Sequence, residues 1–85
     1  MPARVSRTDG QLLAEHARGG REAAVEELFR RHGDMVYRTC LRVCGNGADA
    51  EDAAQAVFLA AIRKARALSR RSDLSGWMHW AAVRA

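Results

Sequence analysis

The stretch DAEDAAQAVFLAAIRKA, residues 49–65, decides the fold class of this sequence. Its apolar residues recur at steps of three and four, which places them on one face of an α-helix: Ala50, Ala53, Ala54, Val57, Phe58, Ala61, Ile62 and Ala65. Asp49 precedes this pattern as the predicted N-cap, and Glu51 and Asp52 in the first turn suit the positive end of the helix dipole. The stretch therefore predicts an amphipathic helix that packs one face on a core.

On the N-terminal side, two further helices are predicted. Thr8 and Gln11 have the spacing of a capping box, and Gly19 and Gly20 predict the end of the helix that they open. A longer helix is predicted over residues 21–44, with Gly33 inside it as a point where it bends or divides. Its predicted core face comprises Val25, Leu28, Phe29, His32, Val36, Cys40 and Val43. Its predicted solvated face comprises Glu22, Glu26, Arg30, Arg38 and Arg42.

On the C-terminal side, residues 45–47 (Gly-Asn-Gly) separate the second helix from the third, and residues 68–75 form a predicted connector. Asp73 or Ser75 is the candidate cap of a last helix that contains Trp77, Met78 and Trp80. No run of β-branched or aromatic residues alternates with a period of two. The sequence thus predicts an all-α fold, a compact bundle of about four helices.

Size and charge limit the function. The 85 residues suffice for one domain, predicted over 9–85 after a disordered basic start at residues 1–8. A net charge of +4, carried by arginines and Lys64, is compatible with a nucleic-acid partner, although such a charge also favours solubility. The opening residues lack the apolar stretch of a signal peptide, and the longest apolar run, residues 56–62, is far shorter than a membrane span. We expect a cytoplasmic protein without membrane contact.

Catalytic and metal-binding patterns are weak in this sequence. His16, His32 and His79 adjoin no recognisable nucleophile motif, and no glycine-rich phosphate loop is present. Cys40 and Cys44 lie one helical turn apart, but no second Cys or His pair follows at zinc-finger spacing, so we expect two core thiols. We predict no enzyme, no metal and no cofactor, and a small thiol or metal-dependent enzyme is the alternative.

Two segments carry patterns typical of binding. Opposite its core face, the third helix presents a strip of mixed polarity that fits either a solvated surface or a contact with a partner helix: Asp52, Gln55, Ala56, Leu59 and Arg63. Residues 63–72 contain five basic residues and no acid, and Trp77 and Trp80 follow. Arginines neutralise phosphates and aromatic rings stack on unpaired bases, so this segment fits single-stranded nucleic acid. The alternative is a solvated loop followed by a helix whose tryptophans belong to the core.

Residues 49–65 also resemble the polymerase-binding helix of bacterial sigma factors of the extracytoplasmic-function (ECF) group. GWMHWAAVR, residues 76–84, resembles the start of the promoter-reading helix of the same domain, and residues 9–45 match the opening helices in pattern and spacing. This resemblance implies the helical bundle of sigma factor region 2. The acidic start followed by Gln-x-Val-Phe-Leu is its more specific part.

The resemblance implies two partners. One helix of the family docks on the clamp coiled coil of the largest subunit of core RNA polymerase, and the matching residues are Asp52, Gln55, Ala56, Leu59 and Arg63. The loop and last helix of the family hold the non-template strand of the promoter −10 element and flip a base into a pocket, at an unstacking cost of a few kcal/mol. The corresponding predicted DNA-binding residues are Arg66, Ser69, Arg70, Arg71, Ser72, Trp77, Trp80 and Arg84.

The sequence departs from the family pattern at two points. Ala56 stands where the family often has Glu, at one of the polymerase contacts. The second family domain, which reads the −35 element, is absent, so we expect either a fragment or a stand-alone protein that finds promoters poorly. An anti-sigma factor is a further partner that the resemblance implies. The alternative function is a protein-only interaction module without DNA binding, such as a degenerate paralogue.

Overall fold

Five helices make up the fold in the computed structural model, which describes residues 7–20 and 22–84. In chain order they are α1 Asp9–Gly19, α2 Glu22–Cys44, α3 Gly47–Arg63, α4 Ala65–Leu68 and α5 Ser75–Arg84. No strand occurs among the described residues, and the predicted all-α bundle is confirmed. The predicted third helix is shorter at its C-terminal end, because the chain turns at Lys64 and Ala65 begins the short α4.

The first helix begins and ends as predicted. Thr8 Oγ1 accepts a hydrogen bond from the Gln11 N–H at 3.1 Å, and Gln11 Oε1 accepts one from the Thr8 N–H at 2.8 Å. Gly20 ends α1 in the left-handed region, with φ of 62°. Residues 1–6 of the predicted disordered start lie outside the described residues. Arg7 is described, and its Nε lies 2.6 Å from Glu15 Oε2 in an ion pair.

The predicted cap of the third helix was wrong. Asn46, not Asp49, is the N-cap of α3, and its Oδ1 accepts a hydrogen bond from the Asp49 N–H at 2.9 Å. Asp49 lies three residues into the helix, where its carboxylate accepts a bond from Asn46 Nδ2 at 2.9 Å. This reciprocal pair resembles a capping box, so both residues stabilise the start of the helix. Because Asn46 is the N-cap, Gly47 is the first residue of α3. Gly45, with φ of 84°, supplies the stop for α2.

The core lies where α2 meets the other helices, because α2 contacts α1, α3 and α5. Its largest fully buried side chains are Leu13, Leu28, Val36, Cys40, Leu74 and Met78. Burying such an apolar side chain stabilises a fold by about 1.5–3 kcal/mol. Leu74 belongs to the connector loop, residues 69–74, so the core fixes the C-terminal end of this loop.

The predicted core face of α2 is correct at its centre and wrong at two positions. Leu28, His32, Val36 and Cys40 are buried, but Phe29 is 44% exposed and Val43 is 50% exposed. Phe29 lies at the edge of the face and stacks on Phe58, with ring centroids 4.2 Å apart. Val43 lies in the last turn of α2, beyond the buried centre of the helix. The five residues of the predicted solvated face are all exposed.

Each helix of the described residues is too short or too polar to cross a lipid bilayer.

Candidate functional site

The predicted strip on α3 is exposed along its whole length. Asp52, Gln55, Ala56, Leu59 and Arg63 face solvent, and Leu59 is 52% exposed. The opposite side of the helix carries the buried Ala50, Val57, Phe58 and Ala61. Because an α-helix rises 1.5 Å per residue, the strip is about 16 Å long. We call these five residues the α3 strip; it places one large apolar side chain between polar groups.

The basic residues that follow α3 are also at the surface. Arg66, Arg70, Arg71 and Ser72 are exposed, and Ser69 is half-buried. Local hydrogen bonds order the backbone here, because Ser69 Oγ donates to the Arg66 carbonyl at 2.8 Å and the Arg71 N–H donates to the Leu68 carbonyl at 3.0 Å. The connector loop therefore presents its guanidinium groups from an ordered backbone.

The two tryptophans of α5 differ in environment. Trp77 is half-buried and packs against the core, whereas Trp80 is 53% exposed. The guanidinium carbon of Arg84 lies over the Trp80 ring, 4.7 Å from its centroid, in a cation–π contact. Packing against the core therefore explains in part why a tryptophan stands at position 77. Most of the Trp80 ring makes no such contact and is available to a ligand.

Loop and helix meet at a shallow groove. This groove is lined by Arg71, Gly76, Trp77 and Trp80. A second shallow groove, which shares Trp80 with the first, is lined by His79, Trp80, Val83 and Arg84. Gly76 contributes no side chain to the first groove. The exposed part of the Trp80 ring can stack on a base, and the guanidinium groups of Arg71 and Arg84 in the two grooves can neutralise a neighbouring phosphate.

A buried polar cluster escaped the sequence prediction. The carboxylate of Asp9, which is 4% exposed, accepts a hydrogen bond from the Leu74 N–H at 2.8 Å and one from Arg31 Nη1 at 3.1 Å. His32 Nε2 lies 2.7 Å from Asp9 Oδ2. We call Asp9, Arg31, His32 and the Leu74 N–H the Asp9 cluster. An acid in the first turn of a helix is common, so nothing local marked Asp9 as buried.

Glu27 stabilises this cluster from α2. Its carboxylate accepts hydrogen bonds from Arg30 and Arg31, which lower the pKa of Glu27. The hydrogen bond from Arg31 to Glu27 and, to a smaller extent, the one to Asp9 raise the pKa of Arg31. Arg31 is thus a permanent cation between two carboxylates, one of them buried.

The family of the chain follows from its sequence from Leu28 onwards, which includes the α3 strip, the connector loop and α5. Residues 28–85 match the family model described as Sigma-70 region 2. The chain belongs to this family. The predicted resemblance to sigma factor region 2 is thereby confirmed.

Several curated relatives are similar to this region 2 domain. The ECF RNA polymerase sigma factor SigM of Mycobacterium tuberculosis is 37% identical over 82 residues, which cover 96% of this chain and 41% of SigM. The ECF RNA polymerase sigma factor SigE of Mycolicibacterium smegmatis is 39% identical over 54 residues, 64% of this chain and 21% of SigE. The RNA polymerase sigma factor CarQ of Myxococcus xanthus is 47% identical over 49 residues, 58% of this chain and 28% of CarQ. The chain thus spans less than half the length of each of these relatives, and no solved structure matches it.

The Cys40 thiol and one cluster of possible metal ligands among the described residues are unfavourable for thiol or metal chemistry. Burial raises the pKa of the Cys40 thiol, which therefore stays protonated and weakly nucleophilic. Asp9, His32 and Asp73 offer ligand atoms within 4.8 Å of one another. The guanidinium of Arg31 already lies on Asp9, and its positive charge opposes a metal cation at the same carboxylate.

Proposed function

We propose that this region 2 domain binds core RNA polymerase through the α3 strip and binds the non-template strand of the promoter −10 element through the connector loop and α5. The observation that carries the proposal is the groove lined by Arg71, Trp77 and Trp80, on a chain whose α3 strip is exposed. The names of SigM, SigE and CarQ, all RNA polymerase sigma factors, support the same role.

The chemistry of the α3 strip suits a helical partner. Leu59 offers an apolar anchor near the centre of the strip, while Gln55 and Asp52 can pair with polar groups at its edge. Protein interfaces commonly combine such an anchor with a polar rim. We assign the clamp coiled coil of the largest polymerase subunit as the partner, because the α3 strip lies in residues 49–65, which resemble the helix that docks on this coiled coil in ECF sigma factors.

The chemistry of the groove suits an unpaired strand. A base stacked on an aromatic side chain contributes about 1–3 kcal/mol, which offsets much of the few kcal/mol required to unstack it from the duplex, and phosphate contacts add to this gain. Arg84 lies over the Trp80 ring and Arg71 lines the same groove, so both can neutralise adjoining phosphates. Binding energy of this kind favours the open strand, so the domain melts DNA by capturing it, without catalysis.

A polymerase-binding, DNA-binding role implies work in the bacterial cytoplasm. It also implies regulation by an anti-sigma factor that covers the α3 strip or the groove and so excludes polymerase or DNA.

The test is a pull-down of the domain with core RNA polymerase and, separately, with the isolated clamp coiled coil. Leu59→Arg and Gln55→Ala should abolish or weaken capture by both baits, because they remove the anchor and its polar neighbour. Val43→Arg is the matched control, since Val43 is 50% exposed on α2 and the substitution makes the same apolar-to-basic change. Each variant should keep the helical circular dichroism of the parent.

Three outcomes separate the possibilities. Capture by both baits that Leu59→Arg removes and Val43→Arg preserves supports the proposal. No capture of the parent chain by either bait rejects the polymerase assignment. Capture of polymerase without any binding of a labelled single strand would favour the protein-only module instead.

A further inference from the structure

Asp9, the first residue of α1, forms hydrogen bonds to the connector loop at Ser72 and at Leu74. The Asp9 N–H donates to the Ser72 carbonyl at 3.0 Å, and the Asp9 carboxylate accepts from the Leu74 N–H at 2.8 Å. One residue of α1 therefore fixes the backbone of the loop on either side of Asp73. The Asp73 carboxylate accepts a hydrogen bond from the Ser75 N–H at 2.8 Å, which continues the ordered backbone into α5.

Gly10 brings α1 against the preceding part of the same loop. A Cβ atom built on Gly10 would overlap the carbonyl oxygens of Arg71 and Ser69, and it would lie 2.9 Å from the Ser69 carbonyl carbon. Only glycine lets the two backbones approach this closely. Asp9 and Gly10 together thus contact the loop from Ser69 to Leu74.

The Asp9 side chain is itself fixed from behind. Arg31 and His32 of α2 bond to its carboxylate, and Glu27 bonds to Arg31 at 2.9 Å. A carboxylate with both oxygens bonded and only 4% of the residue exposed has one orientation available. The connector loop is therefore anchored through Asp9 to the longest helix of the domain.

We propose that Asp9 and Gly10 are positioning residues for DNA: they set the loop geometry that places Arg71 beside Trp77 and Trp80, without touching the strand themselves. The inference rests on the proposed function of the loop. It also assigns to α1 a part in promoter binding, although α1 precedes residues 28–85 that match the family model. The alternative is that the Asp9 cluster stabilises the fold and leaves DNA binding unaffected.

The change in net charge helps to distinguish positioning of the loop from an effect on stability alone. Asp9→Asn raises the net charge from +4 by one, and a more positive protein binds a polyanion more tightly if nothing else changes. The asparagine has one acceptor oxygen in place of two and presents an NH₂ group to the donors of the cluster, so the loop loses part of its anchor. A fall in strand affinity would therefore run against the electrostatic effect.

The experiment measures strand binding, clamp binding and amide exchange on the same samples. The probes are a panel of labelled DNA single strands about 10 nucleotides long that differ in their central bases. Asp9→Asn is compared with Asp34→Asn, which makes the same change at a carboxylate that is 78% exposed and pairs with Arg38 on the surface of α2. Hydrogen exchange of the Leu74 amide, followed by NMR, reports the anchor directly.

The expected result is a reduction in strand affinity of about tenfold for Asp9→Asn, together with faster exchange at Leu74 and unchanged clamp binding. Asp34→Asn should bind the strands as tightly as the parent or slightly more tightly. A general decrease in stability would weaken strand and clamp binding together, so the split between them distinguishes positioning from folding.

Three results would overturn the inference: Asp9→Asn that binds strands like Asp34→Asn, Asp9→Asn that loses clamp binding to the same extent as strand binding, or Asp9→Asn in which Leu74 keeps its protection. If the parent chain binds no strand, the proposed DNA function fails, and exchange at Leu74 alone then decides whether Asp9 anchors the loop. If Asp9→Asn does not fold, the double variant Gly10→Ala/Gly33→Ala replaces it. In this variant Gly10→Ala displaces the loop without a charge change, and Gly33→Ala offsets part of the lost stability. Its control is the single variant Gly33→Ala.

Discussion

Gly10→Ala is expected to destabilise the domain, although alanine is the better helix former. The added Cβ would meet the carbonyl oxygens of Arg71 and Ser69, which belong to backbone and cannot rotate away. Overpacking of this kind costs about 1–3 kcal/mol. A loop displaced to make room also strains the hydrogen bonds that Asp9 makes to Ser72 and Leu74, each contributing about 1 kcal/mol.

The gain in helix propensity offsets at most about 1 kcal/mol of this. We therefore expect a net decrease of about 2 kcal/mol in the free energy of unfolding, because the strained hydrogen bonds add to the overpacking and the propensity gain subtracts from it. For a domain of this size, 1 kcal/mol corresponds to about 4–8 °C in Tm, so the midpoint should fall by roughly 8–16 °C. Thermal unfolding followed by far-ultraviolet circular dichroism measures it, and urea unfolding checks the free energy.

Gly33→Ala is the matched control. Gly33 also lies within a helix, but a Cβ there would have no atom within 4 Å apart from its chain neighbours and the backbone of its own helix. The same substitution should therefore stabilise the domain by about 0.5–1 kcal/mol through backbone entropy. If Gly10→Ala raised Tm as much as Gly33→Ala does, the close approach of α1 to the connector loop would be refuted.

Three further predictions concern the site and its pH dependence. Replacing Arg70 and Arg71 by Ala should reduce the salt dependence of strand binding, by about 0.7 in the log–log slope for each phosphate that is no longer neutralised; an unchanged slope contradicts phosphate binding by these arginines. Trp80→Ala should weaken strand binding by about 1–3 kcal/mol with little change in Tm, because the ring is 53% exposed; equal affinity would remove the stacking role. Hydrogen bonds from two arginines lower the pKa of Glu27 from its ordinary 4.5, so its contribution to stability is present above pH 4.5 and is lost as the pH falls through the lower folded value. Acid unfolding of Glu27→Gln should accordingly be less steep below pH 4.5 than that of the parent, and identical curves would contradict the prediction.

Local chemistry made much of the fold predictable. The capping box of Thr8 and Gln11 and the glycine stop at Gly20 act within a few residues, so their pattern is complete in the sequence. The same holds for the alanine-rich core face of α3 and the exposed strip opposite to it, because helical periodicity alone sorts residues between the two sides. The choice between Asn46 and Asp49 as the cap failed because both residues can cap and each bonds to the other.

Periodicity could not show how far each face is covered. Phe29 and Val43 follow the apolar pattern of α2, yet about half of each side chain is exposed, since coverage depends on the neighbouring helices. The two tryptophans likewise lie three residues apart on one helix, and only the packing of α5 on the core distinguishes half-buried Trp77 from exposed Trp80.

By itself, then, the sequence determined four of the five described helices, the centres of their apolar faces and the family of the chain. Capping and helical periodicity act between residues that are close together in the chain. Only the tertiary structure decided that Asp9 is buried and that it accepts a hydrogen bond from Leu74, 65 residues away. Such a contact depends on the relative placement of α1, α2 and the connector loop. A carboxylate becomes buried only where donors from its surroundings converge on it, and here they come from α2 and the loop, which no local pattern encodes.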